Sequence, residues 1–232
     1  MAKYQELPRM NVSASGEKRL AVCVLLDTSE SMRPYERQLE RALNELKAKL
    51  MANDETRGSV EICVFCFDDQ PVLKVPFGPL DQMKIPVMDC AGLTNTRKAL
   101  VAAMEYVNQR KQDYRDAALE YYQPWIWLLT DGDSTDANTR DQQEMSAIQT
   151  LRSLQDARKL SFYALAIGDD ANLKELAGMH KDGKVYSLDH SDLGKAFEYL
   201  TRTVVTRVKD TDNDDEDLVV AVPVGLTSIT LG

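Results

Sequence analysis

The chain has 232 residues, 44% of them hydrophobic, with a formal net charge of -9 and a pI near 4.9. That length supports one well-buried domain rather than two, and the acidity argues against a nucleic-acid binder. Six carboxylates sit in one run, Asp210 to Asp217 (DTDNDDED); without it the remainder carries only -3, so no partner follows from net charge.

Residues 1–19 are polar and unpatterned and read as an arm. They lack the apolar core of a leader peptide, and no run in the chain approaches the roughly 20 apolar residues that span a bilayer. The expectation is a soluble cytoplasmic protein with no membrane partner. Leu20 to Leu26 are then continuously apolar and end abruptly in Asp27, Ser29 and Ser31. Such a run suits a strand buried on both faces of a parallel sheet, with the polar triplet at its carboxyl end, where open α/β sheets bind ligands. Pro34 is placed to open a helix, and Tyr35, Leu39, Ala42, Leu43, Leu46 and Leu50 carry its apolar face to about Met51. NDETRGS breaks that helix. Val60 to Phe67 is a second strand, and Val72 to Phe77 a third, linked so tightly that the pair must be antiparallel; Pro71 and Pro76 mark it as a sheet edge.

The chain holds four cysteines, Cys23, Cys63, Cys66 and Cys90. Cys63 and Cys66 have CxxC spacing, but a strand points them to opposite faces, and neither a second pair nor a nearby histidine completes a zinc or redox site. Core packing is the expectation for this pair.

GPLDQMKIPVMDCAGLTNT reads as a loop with at most a helical turn. A helix begins at Thr96, with Ala99, Leu100, Ala103, Met104 and Val107 on one face, and fades near Gln112. Trp125 to Thr130 is a short apolar strand running into Asp131-Gly132-Asp133, and its two tryptophans share a face. Met145, Ile148, Leu151 and Leu154 mark a helix, Leu160 to Ile167 a buried strand, Asn172 to His180 a short helix, and the surroundings of Val185 a weak strand. Leu193, Ala196, Phe197, Leu200, Val204 and Val208 line the last helix. Alternating strands and helices predict an α/β fold: a Rossmann-like, doubly wound, mostly parallel sheet with one antiparallel edge strand and helices on both faces. The boundaries are an arm at 1–19, a domain at 20–208, an acidic linker at 209–217 and an apolar tail at 218–232. The linker is not an EF-hand, because Asp215 falls where that loop needs glycine and Ala221 where it needs glutamate. The tail is too short to span a membrane and reads as an added strand on this or another chain.

Three polar clusters follow apolar runs: Asp27, Ser29 and Ser31; Thr94; and Asp131 with Asp133. A set of hydroxyls and carboxylates of this kind suits Mg2+, which takes six oxygens at about 2.0–2.1 Å and keeps several waters. Ser29 and Ser31 would ligate as neutral oxygens, with Asp27 and Asp131 acting through water or one of them directly. A cation with so few anionic ligands keeps much of its charge, and an open position on it would attract a carboxylate from a partner protein.

DTSES resembles the DxSxS motif of von Willebrand factor A domains, and GLTNT and LLTDGD resemble the second and third parts of their metal-ion-dependent adhesion site. The resemblance runs from about Lys18 to Val208 and implies a metal set of Asp27, Ser29, Ser31, Thr94 and Asp131. It implies Mg2+, with Mn2+ or Ca2+ as substitutes, and a partner protein that presents Asp or Glu to the metal. Glu30 stands where the family commonly has glycine, at a position that is not a ligand. YYQPWIWLLTDGDSTD and FEYLTRTVVTRV look most like the bacterial TerY- and YegL-type branch, which implies a place in tellurite-resistance-like stress or signalling assemblies. The family rarely catalyses, and its final helix can shift to tune affinity.

Simple helix capping is the alternative for Ser29 and Ser31 taken alone. Asp133 and Asp136 are expected to support the site or face solvent rather than ligate. His180 and His190 are isolated, and neither is expected to be a ligand. The rival function is a phosphoaspartate-type hydrolase with Asp27 as nucleophile. Such enzymes usually carry a second acid two residues on, where this chain has Ser29. Neither a GxSxG elbow nor a GxxxxGK[ST] loop occurs. The expectation is a binding module, not an enzyme.

Overall fold

Alternation along the strands decides the layering. The computed structural model describes residues 17–189, 193–210 and 220–231. In it β1 (Leu20–Asp27), β2 (Val60–Phe67), β3 (Pro71–Val75), β4 (Trp125–Thr130), β5 (Ser161–Ile167), β6 (Lys184–Leu188) and β7 (Leu226–Thr230) form one sheet in the order β3-β2-β1-β4-β5-β6-β7. Leu20, Val22, Val24 and Leu26 face one core, shared with α1 (Glu36–Met51) and α6 (Leu193–Lys209). Ala21, Cys23 and Leu25 face the other, shared with α3 (Thr96–Asp116), α4 (Gln142–Asp156) and α5 (Leu173–Met179). A strand covered on both sides needs apolar residues at every position, which is why β1 reads as an unbroken run.

The five central strands β2, β1, β4, β5 and β6 are parallel. β3 joins β2 antiparallel at one edge, as its short link and prolines require. The apolar tail supplies β7, a second antiparallel strand, on β6 at the other edge. Cys63 and Cys66 lie in opposite cores, and all four cysteines are buried free thiols. Trp125 and Trp127 share the α1/α6 face, where Tyr163 stacks on Trp127 with ring centroids 4.4 Å apart. The expectations that fall on residues 1–16, on His190 and on residues 211–219 of the linker and tail lie outside the described residues.

Three local details differ from the pattern reading. Pro34 sits inside a 3-10 segment, Glu30–Tyr35, and the α-helix starts only at Glu36, after Met32 has been drawn into the core. NDETRGS does more than break a helix. It forms the short helix α2 (Asp54–Ser59), capped by Asn53, whose side chain accepts the Thr56 N–H at 3.1 Å. And α3 continues to Asp116, because Arg110 and Tyr114 in its last turns are buried. Arg110 donates from Nε and Nη2 to the two oxygens of Glu61 on β2 at 2.7 and 2.8 Å, and the Tyr114 hydroxyl donates to Glu61 Oε2 at 2.6 Å. Burial works against the Arg110 charge, yet the Glu61 carboxylate holds its pKa above the ordinary arginine value. A pattern that counts only apolar residues cannot register this turn.

β1 is hydrogen-bonded to both β2 and β4, with Leu26 beside Leu129. The chain therefore reverses direction across the sheet between β1 and β4, and the carboxyl ends of these two strands are adjacent. That crevice is where ligands of open α/β sheets bind.

Candidate metal centre

Asp27 ends β1 on the same face as Thr130 at the end of β4, since each is one step past an inward-facing leucine. Its Oδ1 accepts the Ser29 N–H at 2.9 Å, closing a tight turn, and its Oδ2 accepts the Thr130 hydroxyl. The side chain is wholly buried. Burial is the main reason its pKa is lifted to about 6, with nearby Asp131 pushing the same way and the Thr130 and Ser29 hydrogen bonds opposing.

The turn made by Asp27 aims the next two hydroxyls at the end of β4. Ser29 Oγ lies 3.1 Å from Ser31 Oγ, and Ser31 Oγ donates to Asp131 Oδ1 at 2.8 Å. Ser29 and Asp131 are buried, and Ser31 is exposed, so the row of oxygens opens to solvent at its middle. Thr94, also buried, arrives from the segment before α3. Its Oγ1 lies 3.7 Å from where a side chain on Gly132 would begin, so it packs directly against the turn after Asp131. The segment holding Thr94 is tied to the first loop by Ala91 N–H to Thr28 O at 2.8 Å and Glu30 N–H to Gly92 O at 3.3 Å. Gly92 has a φ of +77°, in the left-handed region, and a side chain there would also run into the Asp69 carboxylate. From α1, Glu36 and Glu40 accept the Cys90 and Met88 N–H groups, each at 2.8 Å.

All five residues of the expected set thus lie around one crevice: Ser29, Ser31 and Asp131 in a row, Asp27 behind them, and Thr94 beside Gly132. Asp133 is exposed, while Asp136 is buried and accepts the backbone N–H groups of Arg97 and Lys98 at 3.1 and 3.0 Å. His180 lies away from the crevice, its Nδ1 accepting the Asp182 N–H at 3.1 Å. Thr130 was not a predicted site residue. Its signal was a hydroxyl closing an otherwise apolar strand.

Among the described residues no group of three or more His, Cys, Asp or Glu side chains is placed to hold a metal, so a cation here must rely on hydroxyls. The row fits one. Adjacent oxygens of the row lie 3.1 and 2.8 Å apart, hydrogen-bonded contacts close enough for the three to share one hard cation.

Residues 21–199 match the von Willebrand factor type A domain family. Among solved structures, the chain is similar to the vWF domain of the type V pili tip protein Mfa5 from Porphyromonas gingivalis, with a TM-score of 0.60 at 11% identity over 83% of this chain and 97% of that one. It is similar to proximal thread matrix protein 1 from the mussel byssus, solved with a zinc-occupied MIDAS motif, with a TM-score of 0.54 at 16% identity over 80% and 45%. The ArnB paralog VWA2 from Sulfolobus acidocaldarius gives 0.52 at 18% over 82% and 46%. The chain spans about half the length of the mussel and archaeal proteins. No curated protein matches it. Identities this low establish a shared fold.

Proposed function

The chain belongs to the von Willebrand factor type A family, and from that premise we propose that it is a protein-binding module in which Asp27, Ser29, Ser31, Thr94 and Asp131 hold a divalent cation that captures an acidic side chain of a partner. The observation that carries this reading is the row Ser29 Oγ, Ser31 Oγ, Asp131 Oδ1, three oxygens brought together from two strand ends at the mouth of the crevice. Mg2+ or Mn2+ is the proposed ion. An all-oxygen set favours these hard cations over Zn2+, which prefers nitrogen and sulfur. The bound cation supplies a Lewis-acidic position for a carboxylate. The chain's own residues do the rest. The two serines and Thr94 contribute oxygen without charge, so less of the cation's charge is offset by the protein than in an all-carboxylate site. Asp27 orients Ser29 through its backbone N–H, and Thr130 holds Asp27 in place.

We also propose that the chain is not a hydrolase. A nucleophilic aspartate needs a free oxygen facing substrate, whereas Asp27 is fully buried with both oxygens accepting hydrogen bonds. The context YYQPWIWLLTDGDSTD supports a bacterial TerY-like, cytoplasmic member acting in a stress or signalling assembly.

Titration calorimetry with Mg2+ tests the metal. Ser31→Ala is expected to weaken binding at least tenfold, because it deletes the middle oxygen of the row, and equal affinities in variant and wild type would sink the assignment. Docking is tested by capture with and without chelator, since a partner held equally well in excess EDTA is not bound through a metal.

A further inference from the structure

We propose that Thr135, with Asp136 behind it, is the positioning residue that registers Thr94 against Asp131, so that metal affinity depends on a side chain that never touches the metal. The inference rests on the metal reading above and deepens it. Thr135 Oγ1 accepts the Thr94 N–H at 3.2 Å and donates to Asn95 Oδ1 at 2.9 Å, while the Thr135 N–H donates to the Thr94 carbonyl at 2.8 Å. One residue of the loop that carries Asp131 therefore grips Thr94 by both its backbone polar groups.

The grip is reinforced at the start of α3. Asn95 occupies the N-cap position but its side chain makes no capping bond. It is spent elsewhere, donating to the Asp69 carbonyl at 2.8 Å and accepting from Thr135. The first-turn N–H groups of Arg97 and Lys98 are taken instead by the Asp136 carboxylate, which also accepts the Ser134 hydroxyl. A helix start normally finds its cap in the residue just before it. Here the cap comes from a loop 38 and 39 residues away in sequence, and that loop is the one bearing Asp131. Moving Asp131 relative to Thr94 would break the Thr135 bonds and uncap α3 together.

Replacing a group that orients a ligand typically costs 10–100-fold in metal affinity. Calorimetric titration of Mg2+ into the full chain is expected to give about tenfold weaker binding for Thr135→Val and binding within about twofold of wild type for Thr135→Ser, which keeps the hydroxyl. Hydrogen exchange on the metal-free proteins should show the Thr94 amide protected in wild type and Thr135→Ser and unprotected in Thr135→Val. Thr135→Val binding as tightly as wild type, or Thr135→Ser binding as weakly as Thr135→Val, would overturn the proposal. Should Thr135→Val not fold, Thr135→Ala, which also deletes the hydroxyl, decides by the same two readouts, with weaker binding and loss of Thr94 protection expected and wild-type behaviour overturning the idea. A wild-type chain that binds neither Mg2+ nor Mn2+ overturns the metal reading itself, and this inference with it.

Discussion

Asp27→Asn is expected to make the metal-free protein more stable and the metal-supplemented protein less so. The asparagine keeps an acceptor for the Ser29 N–H and offers a donor to the Thr130 hydroxyl, while removing a charge held in a fully buried position. The sign follows from the direction of the shift. The folded pKa of Asp27 stands at about 6 against an ordinary value of 3.8. The native state therefore holds this proton more tightly than the unfolded chain does. The resulting stabilisation is complete below the unfolded value and is lost as pH rises through about 6, at a cost on the order of 2–3 kcal/mol. Urea unfolding in EDTA should show the variant ahead of wild type at pH 7.5, with the gap closing toward pH 4.5. Adding Mg2+ should raise the wild-type midpoint as ligand linkage requires and leave the variant unmoved. A variant weaker than wild type in EDTA at pH 7.5 would show that the buried charge is not a cost of holding the site ready.

Arg110→Met is expected to lose about 3–5 kcal/mol of stability, the usual consequence of stranding one member of a buried ion pair. The variant leaves the Glu61 carboxylate buried with Tyr114 as its remaining hydrogen-bond partner from that cluster. Combining it with Glu61→Gln removes the stranded charge and should recover a good part of the loss, so a double-mutant cycle on urea midpoints reads the coupling directly. Additive losses would mean that the pair is no unit. Glu61 pairs in register with Ala21, six positions before Asp27, which places it about 20 Å from the crevice at strand rise. Mg2+ affinity should then be unchanged in the folded fraction, which makes these variants the control for Thr135→Val: instability without loss of binding.

Runs of apolar residues ending in Asp or Ser make the strand ends readable, and the metal set lies on those ends because the covered middle of the sheet admits a polar side chain only where a buried partner meets it, as Arg110 meets Glu61. The same logic placed β3 at an edge from its prolines. What pattern reading missed depends on contacts distant in sequence. Arg110 and Tyr114 look like a helix dissolving into solvent until Glu61 is brought beneath them. Asn95 looks like an ordinary cap until Asp69 and Thr135 claim its amide. Thr130 looks like the last residue of a strand until Asp27 is set next to it. In each case a polar side chain takes its role from a partner dozens of residues away, and periodicity carries no information about that partner.

The two short antiparallel margins of the sheet also bear on how the chain behaves at high concentration. β3 presents Pro71 and the exposed Lys74 at one rim, and β7 presents exposed Thr227, Ser228 and Thr230 at the other. A proline cannot donate to an incoming backbone, and a lysine or a row of small hydroxyls makes a poor seam for a second molecule. Shearing off β7 would bare the backbone flank of β6, with Tyr186 and Leu188 on one face and Val185 on the other, as a template for fibrous stacking. β7 thus acts as selvedge, the woven border that keeps a fabric from joining to the next piece.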